Sequence, residues 1–431
     1  MPLLPALAVA AAIAVGANWP SFRGEHGRGV ADGTPPITWD APSGAGIRWH
    51  VDIPGISHAS PIVWNGRVYL ITAVAEGSTL DLSAATAGSV IFATDTVEHE
   101  WRLYCLDASS GAVEWSRTVH TATPRQARHA RGTYANATPA TNGAVIVASL
   151  GNEGLFAFDM DGTLRWRVAM TPPRHDASLD PASSPIIAGN LAIVQNDWRE
   201  GAFAAAYDLD NGREVWRVAR NEGLAWSTPA FWKPASDQPQ IVFNSARWIR
   251  GHDVATGTEL WRLDNSVESP WDRVPTPVPA GDRLLIGGGG PQGALMSLTA
   301  GARGDISGDS PHMAWRVDRG SPYLPTPLVY DGLVYAVTDS GVLSVYREGD
   351  GTLVYRARIA SDTGTISASP IAAGGHLYFA STDGDIFVVR AGNTFALAAR
   401  NPMGSAMFAS PAVWQNLLII RTASGIYAVG A

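Results

Sequence analysis

The sequence predicts an all-β chain folded as an eight-bladed β-propeller of four-stranded antiparallel blades, and three observations carry that expectation. A Ser-Pro or Thr-Pro step recurs in equivalent contexts at Ser60, Thr138, Ser184, Thr228, Thr276, Thr326, Ser369 and Ser410. After a first interval of 78 residues, successive copies lie 41 to 50 apart, the length of four short strands and their turns. Most units then close on a tryptophan, in "GAVEWSRTV", "GTLRWRVAM", "GREVWRVAR", "GTELWRLDN" and "HMAWRVDR", fading to "GTLVYRARI" and "FALAARNPM" near the end. Finally, the last unit has room for only three strands, while "GIRWHVDI" at 46–53 is a tryptophan-closing segment with no three strands before it. The N-terminus should therefore supply the fourth strand of the C-terminal blade and leave no open sheet edge.

Within each unit the elements follow from residue chemistry. Proline opens the first strand, where its missing N–H costs no ladder hydrogen bond. Apolar residues run to a tight turn such as Asn65-Gly66, Asn142-Gly143 or Asp331-Gly332, whose residues tolerate positive φ. The second strand ("RVYLIT", "LVYAVT", "HLYFAS") alternates with period two, a polar turn follows, and a third strand ("RLYCLD", "FAFD", "LSVY") leads into the tryptophan segment. The tryptophans, placed regularly at strand four, read as packing residues between blades.

Composition sets the bounds. The chain has 431 residues, 46% of them hydrophobic and 16% charged, too apolar for disorder and long enough for a sizeable core. Its 45 glycines and 29 prolines favour short elements and tight turns. A net charge of -8 argues against a general nucleic-acid binder, which needs surplus Lys and Arg to neutralise phosphates. Cys105 is the one cysteine, so no intramolecular disulfide or multi-cysteine metal site is available, and its place in "RLYCLD" reads as core. Residues 1–17, apolar and ending in small residues with Val15 and Ala17 at a cleavage site, read as a secretory signal peptide; they are too few to span a bilayer. No cysteine follows to carry a lipid anchor. Residues 18–46 form an N-terminal arm expected to pack along one face, and 47–431 a single propeller domain.

The turn-plus-tryptophan stretches "LDASSGAVEW", "YDLDNGREVW" and "HDVATGTELW" resemble the repeats of pyrroloquinoline-quinone (PQQ)-type β-propellers, which include quinoprotein alcohol dehydrogenases and BamB-type outer-membrane assembly factors. "NWPSFRG" at 18–24, "ARGDISGD" at 302–309 and "PYLPTPLVYDG" at 322–332 resemble an exported bacterial group of PQQ-like propellers. The resemblance covers nearly the whole mature chain and speaks to fold more than to function, since one fold hosts many functions. It implies, for an enzyme, PQQ with a calcium ion held by Asp, Glu or Asn oxygens and a carboxylate base. The adjacent-cysteine disulfide of the alcohol dehydrogenases is absent here, and no Asp/Glu/Asn cluster stands out as a calcium site. No cofactor is therefore expected, and PQQ with calcium, its ligands drawn from separate blades, stands as the alternative.

Other motifs dissolve in context. "GGGPQG" at 288–293 matches a dinucleotide fingerprint but leads into a strand-like segment with no helix to receive a pyrophosphate. "DMDGT" and "DLDNG" lack calcium-loop spacing, and no nucleophile elbow appears. Arg303-Gly304-Asp305 spells an adhesion tripeptide inside a stretch that the resemblance already covers.

What remains is a face. The fourth-to-first and second-to-third connections emerge on the same side, and the longest ones, at 72–100, 120–137 and 171–183, build a rim there. The rim carries Arg125, Arg128, His129, Arg131, Arg174 and His175 on an otherwise acidic protein, a concentration suited to an anionic group. Positions three and four before the unit prolines, among them His58, Asn136, Trp226, Arg273, Tyr323 and Phe408, should line the channel mouth. Aromatic faces beside an arginine suit a planar or carbohydrate-like ligand or an inserted peptide. The expected function is an exported, non-catalytic, monomeric scaffold that offers this face to an envelope or extracellular protein or ligand, the quinoprotein dehydrogenase being the alternative.

Overall fold

In a computed structural model the chain forms eight antiparallel sheets of four principal strands each. The structure describes residues 18–78, 92–93, 95, 97–170, 182–198, 201–265, 274–290 and 293–430. Blades 1 to 7 span residues 62–122, 140–168, 186–219, 230–264, 278–317, 328–358 and 371–402 in chain order. Blade 8 is made of Ala412–Trp414, Leu417–Arg421 and Gly425–Val429, and its outer strand is Ile47–Asp52, which pairs antiparallel with Gly425–Val429. Helix is confined to two three-residue 3-10 turns among the described residues. The expected signal peptide lies outside them.

Two circumferential belts join the blades. The inner belt answers why Ser-Pro and Thr-Pro recur. The backbone N–H of Ser60 donates to the hydroxyl of Thr138, Thr138 to Ser184 and Ser184 to Thr228. On the far side Thr276 donates to Thr326, Thr326 to Ser369, Ser369 to Ser410, and Ser410 back to Ser60. All seven bonds measure 2.9 to 3.2 Å and join buried groups. Because the next residue is proline and cannot donate, this N–H is the last main-chain donor before the strand, and a neighbour's hydroxyl satisfies it.

The outer belt explains the turn-plus-tryptophan pattern. Trp49, Trp166, Trp216 and Trp315 each donate an indole N–H to a main-chain carbonyl of the following blade, at Ala108, Leu209, Val254 and Glu348. Each indole lies flat on that blade's turn glycine. A β-carbon at Gly111, Gly212 or Gly257 would come within 2.6 to 2.7 Å of the ring, and these glycines also hold φ of 70 to 75°. Blade 7, with Ala399 at the tryptophan position, is covered instead by the arm's Trp39, which is buried against Met403 and held by Asn401.

The inner belt breaks at one seam, between blades 4 and 5, and the tryptophan bond to the next blade is missing there too. There the Thr276 hydroxyl has no partner, and Trp261 turns inward to donate to Gln240. A strap from blade 5 takes over: Gly304–Asp305 pairs in parallel with the outer strand of blade 4. Arg303 pairs with Asp237 at 2.7 Å and Asp305 with Arg262 at 3.0 Å, which accounts for the adhesion-like tripeptide as an inter-blade tie.

The N-terminal arm goes further than lying on a face. Trp19 pairs with Val63, the Pro20 carbonyl accepts from Thr141, and Val30–Ala31 pairs in parallel with Ile371–Ala373, all on inner strands facing the channel. Arg23, wholly buried and with no carboxylate partner among the described residues, donates to the Pro327 and Pro370 carbonyls and so fastens the arm to blades 6 and 7. Burial holds its guanidinium down at about 9.

The inner belt is testable by two substitutions. Ser369→Ala strands the Thr326 N–H in the interior and should cost about 1–3 kcal/mol in denaturant unfolding. Thr276→Val removes a hydroxyl that accepts nothing and should be neutral or slightly stabilising in the same assay.

Candidate ligand site at the channel mouth

The channel becomes a well because the arm's Phe22 closes it on the turn side. The well has a cavity volume of about 140 Å³ and extends toward the fourth-to-first connections, whose residues line it. Its lower tier is the ring of eight Ser and Thr side chains, one residue before each unit proline. The upper tier comes from the residue three before each proline: His58, Asn136, Trp226 and Phe408 on one part of the wall, and Ala182, Val274, Leu324 and Ser367 on the rest. Extended backbone alternates sides, so positions one and three before proline share the channel side.

This rule corrects part of the sequence expectation. Tyr323 stands four before its proline and does not line the well; Leu324 does, and the backbones of both hydrogen-bond the Asp339 carboxylate. Arg273, also four before its proline, lies outside the described residues, and Val274 fills the lining position.

The basic rim is also rearranged. Arg128 is only 2% exposed; it pairs with Asp95 at 2.6 Å and donates to the Gly132 carbonyl at 2.7 Å, so it staples its connection together. Arg125 is half-exposed against Glu153 at 3.6 Å. His129 accepts the Arg131 N–H through Nδ1, and the Arg131 guanidinium sits 5.7 Å above the Phe408 ring. Arg174 and His175 lie outside the described residues.

His58 stacks on Phe408, ring centres 4.3 Å apart and 13° from parallel. Its Nε2 is buried without a hydrogen-bond partner. Burial first, then the positive charges of Arg128, Arg131 and His129, pull the imidazole down to about 3, so it is neutral near pH 7. Asn136 accepts the Thr133 N–H and hydroxyl through Oδ1.

Sequence reasoning missed the element that holds Trp226. Buried Arg220 donates to Asp197 at 2.7 and 3.2 Å and to the Ser245 hydroxyl at 2.6 Å, joining blades 3 and 4. Glu222 accepts from the Trp248 N–H and from Arg250. Ser227 donates to the Pro275 carbonyl, so residues 220–228 are anchored on both sides of Trp226. Only the proximity of Arg220 and Glu222 to a unit proline hinted at this, because Asp197 and Ser245 come from separate blades.

The family model described as outer membrane protein assembly factor BamB matches residues 73–225 and 245–431. The chain belongs to this family. No curated protein sequence matches. Among solved structures, BamB from Moraxella catarrhalis is similar with a TM-score of 0.57 at 17% identity, covering 76% of this chain and 88% of that one. A europium-containing methanol dehydrogenase is similar with a TM-score of 0.68 at 12% identity, covering 95% and 90%. The quinohemoprotein alcohol dehydrogenase from Comamonas testosteroni gives 0.68 at 14% identity, covering 98% and 82%. These likenesses establish a shared propeller fold.

Two outcomes test the site's construction. His58 has its folded pKa below its unfolded value, so acid protonates the unfolded chain first, and stability is lost as pH falls from about 6.5 toward 3. A His58→Phe variant should lose less melting temperature than the parent between pH 7 and 5. Arg220→Met removes the guanidinium from buried Asp197 and should cost about 3–5 kcal/mol, while adding Asp197→Leu should recover much of that loss in denaturant unfolding.

Proposed function

We propose that this protein is an extracytoplasmic, non-catalytic binding propeller that receives an envelope or extracellular protein or ligand on its loop-rich face. One observation carries the reading: Phe22 of the arm stands at one end of the channel, and the other end lies where the long connections gather. A scaffold needs a shaped, accessible surface of this kind. Membership of the BamB family supports an exported protein that works through interactions.

The described residues of the well do not suit a quinone with calcium. Calcium takes six to eight oxygens, usually including carboxylates. The well is lined by hydroxyls, aromatic rings, aliphatic groups, one imidazole and one carboxamide, whose Oδ1 already accepts two bonds. Among the described residues no group of three or more His, Cys, Asp or Glu could hold a metal ion.

Photo-crosslinking in the native envelope tests the proposal. A photoreactive residue at position 131, beside the mouth, should give discrete protein or ligand adducts. The same residue at position 350, in a turn on the opposite face, should not. Equal labelling from both positions, labelling from neither, or a saturable calcium-dependent stabilisation by added PQQ would contradict it.

A further inference from the structure

The well's hydrogen-bonding inventory is unbalanced, and the imbalance describes a ligand. Seven of the eight ring hydroxyls each accept one backbone N–H, and among the described residues none of them donates its own proton to the protein. Asn136 commits Oδ1 to Thr133, leaving its two N–H groups uncommitted among the described residues. Neutral His58 adds one donor and one acceptor, and Nε2 is buried and unpartnered at the cavity wall. The site is therefore rich in neutral donors that converge from every blade, and among the described residues no charged side chain lines it.

Above the ring, Trp226 and the stacked His58–Phe408 pair bring aromatic rings to the wall. Flat faces beside many uncharged hydroxyl and amide groups match a compact ring whose faces are C–H and whose edge is oxygen. Among the described residues a cation finds no carboxylate in this lining, and the Arg131 guanidinium lies 5.7 Å over Phe408. A ligand with one acidic group gains from that field, whereas an amine loses.

We infer that the well binds a single pyranose-sized sugar ring, with hexuronates preferred over neutral hexoses and amino sugars excluded. The ring hydroxyls and Asn136 meet the sugar oxygens, Trp226 meets a C–H face, and Arg131 draws the carboxylate to the mouth. This rests on the binding reading above and gives it a ligand class. The sugar is either free or the end of a glycan chain; both present the same ring.

The probes are glucuronate, glucose and glucosamine, each titrated into the full-length protein while intrinsic tryptophan fluorescence and melting temperature are followed, and glucuronate-terminated oligosaccharides separate the two sources. Saturable binding of glucuronate is expected, at least fivefold tighter than glucose, with no binding of glucosamine. Trp226→Ala should weaken it at least tenfold, and Arg131→Ala should erase the preference over glucose. Ser367→Phe, which fills the well from a partly exposed position, should abolish binding while the melting temperature stays within a few degrees, separating loss of the site from loss of the fold. Absence of saturable binding to any of these sugars overturns the inference, as does binding unchanged by both Trp226→Ala and Ser367→Phe. If sugars fail while crosslinks from position 131 persist, the ligand class is wrong and the binding face stands; if both fail, the binding reading falls with it.

Discussion

The hydrogen bond from the N–H before each unit proline to the hydroxyl of the next blade is the interaction on which the molecule depends. It satisfies a buried donor that the following proline leaves at the threshold of the strand. It also fixes each inner strand at the same height as its neighbour. Seven such bonds turn eight separate sheets into a ring and place eight hydroxyls at one level around the axis. The wall of the well is therefore a by-product of how the blades are joined. The tryptophan belt repeats the logic farther out, combining apolar stacking on glycine with one directed indole bond.

Much of this was legible in the sequence because it is periodic. Proline spacing, turn glycines and tryptophan-closing segments each recur with the blade, and together they reveal strand order, blade number and the role of residues 47–52. The same periodicity located His58, Asn136, Trp226 and Phe408 at the mouth, since backbone alternation ties their side to the Ser or Thr two residues on. Tyr323 shows the limit of that reading: a one-residue displacement from the register moves a side chain off the channel. Non-periodic features were less visible. Arg128 looks like a rim charge in sequence, yet its partner Asp95 lies 33 residues away in the chain and draws it inside. The Asp197–Arg220–Ser245 cluster is assembled from strand ends of two blades and leaves no linear trace.

The seam between blades 4 and 5 shows how the fold tolerates a missing link. The hydroxyl ring and the tryptophan belt both lapse there, and a strap with two ion pairs and a short parallel pairing bridges the gap. These pairs are partly exposed, so each contributes modestly and the strap acts through their combination with the buried Ile306. On the opposite part of the circle the arm does similar work, filling the channel floor with Phe22 and covering blade 7 with Trp39. Closure of the propeller and closure of the well thus use the same N-terminal segment. That coupling makes the mouth the natural place for recognition.

Native-state amide hydrogen exchange, resolved at single residues, tests the inner belt most directly. The account predicts that the amides of Ser60, Thr138, Ser184, Thr276, Thr326, Ser369 and Ser410 exchange only with global unfolding, whereas Thr228, which makes no such bond across the seam, exchanges much faster. Ring amides that exchange as quickly as those of the surface turns, or a Thr228 amide as slow as the other seven, would contradict it.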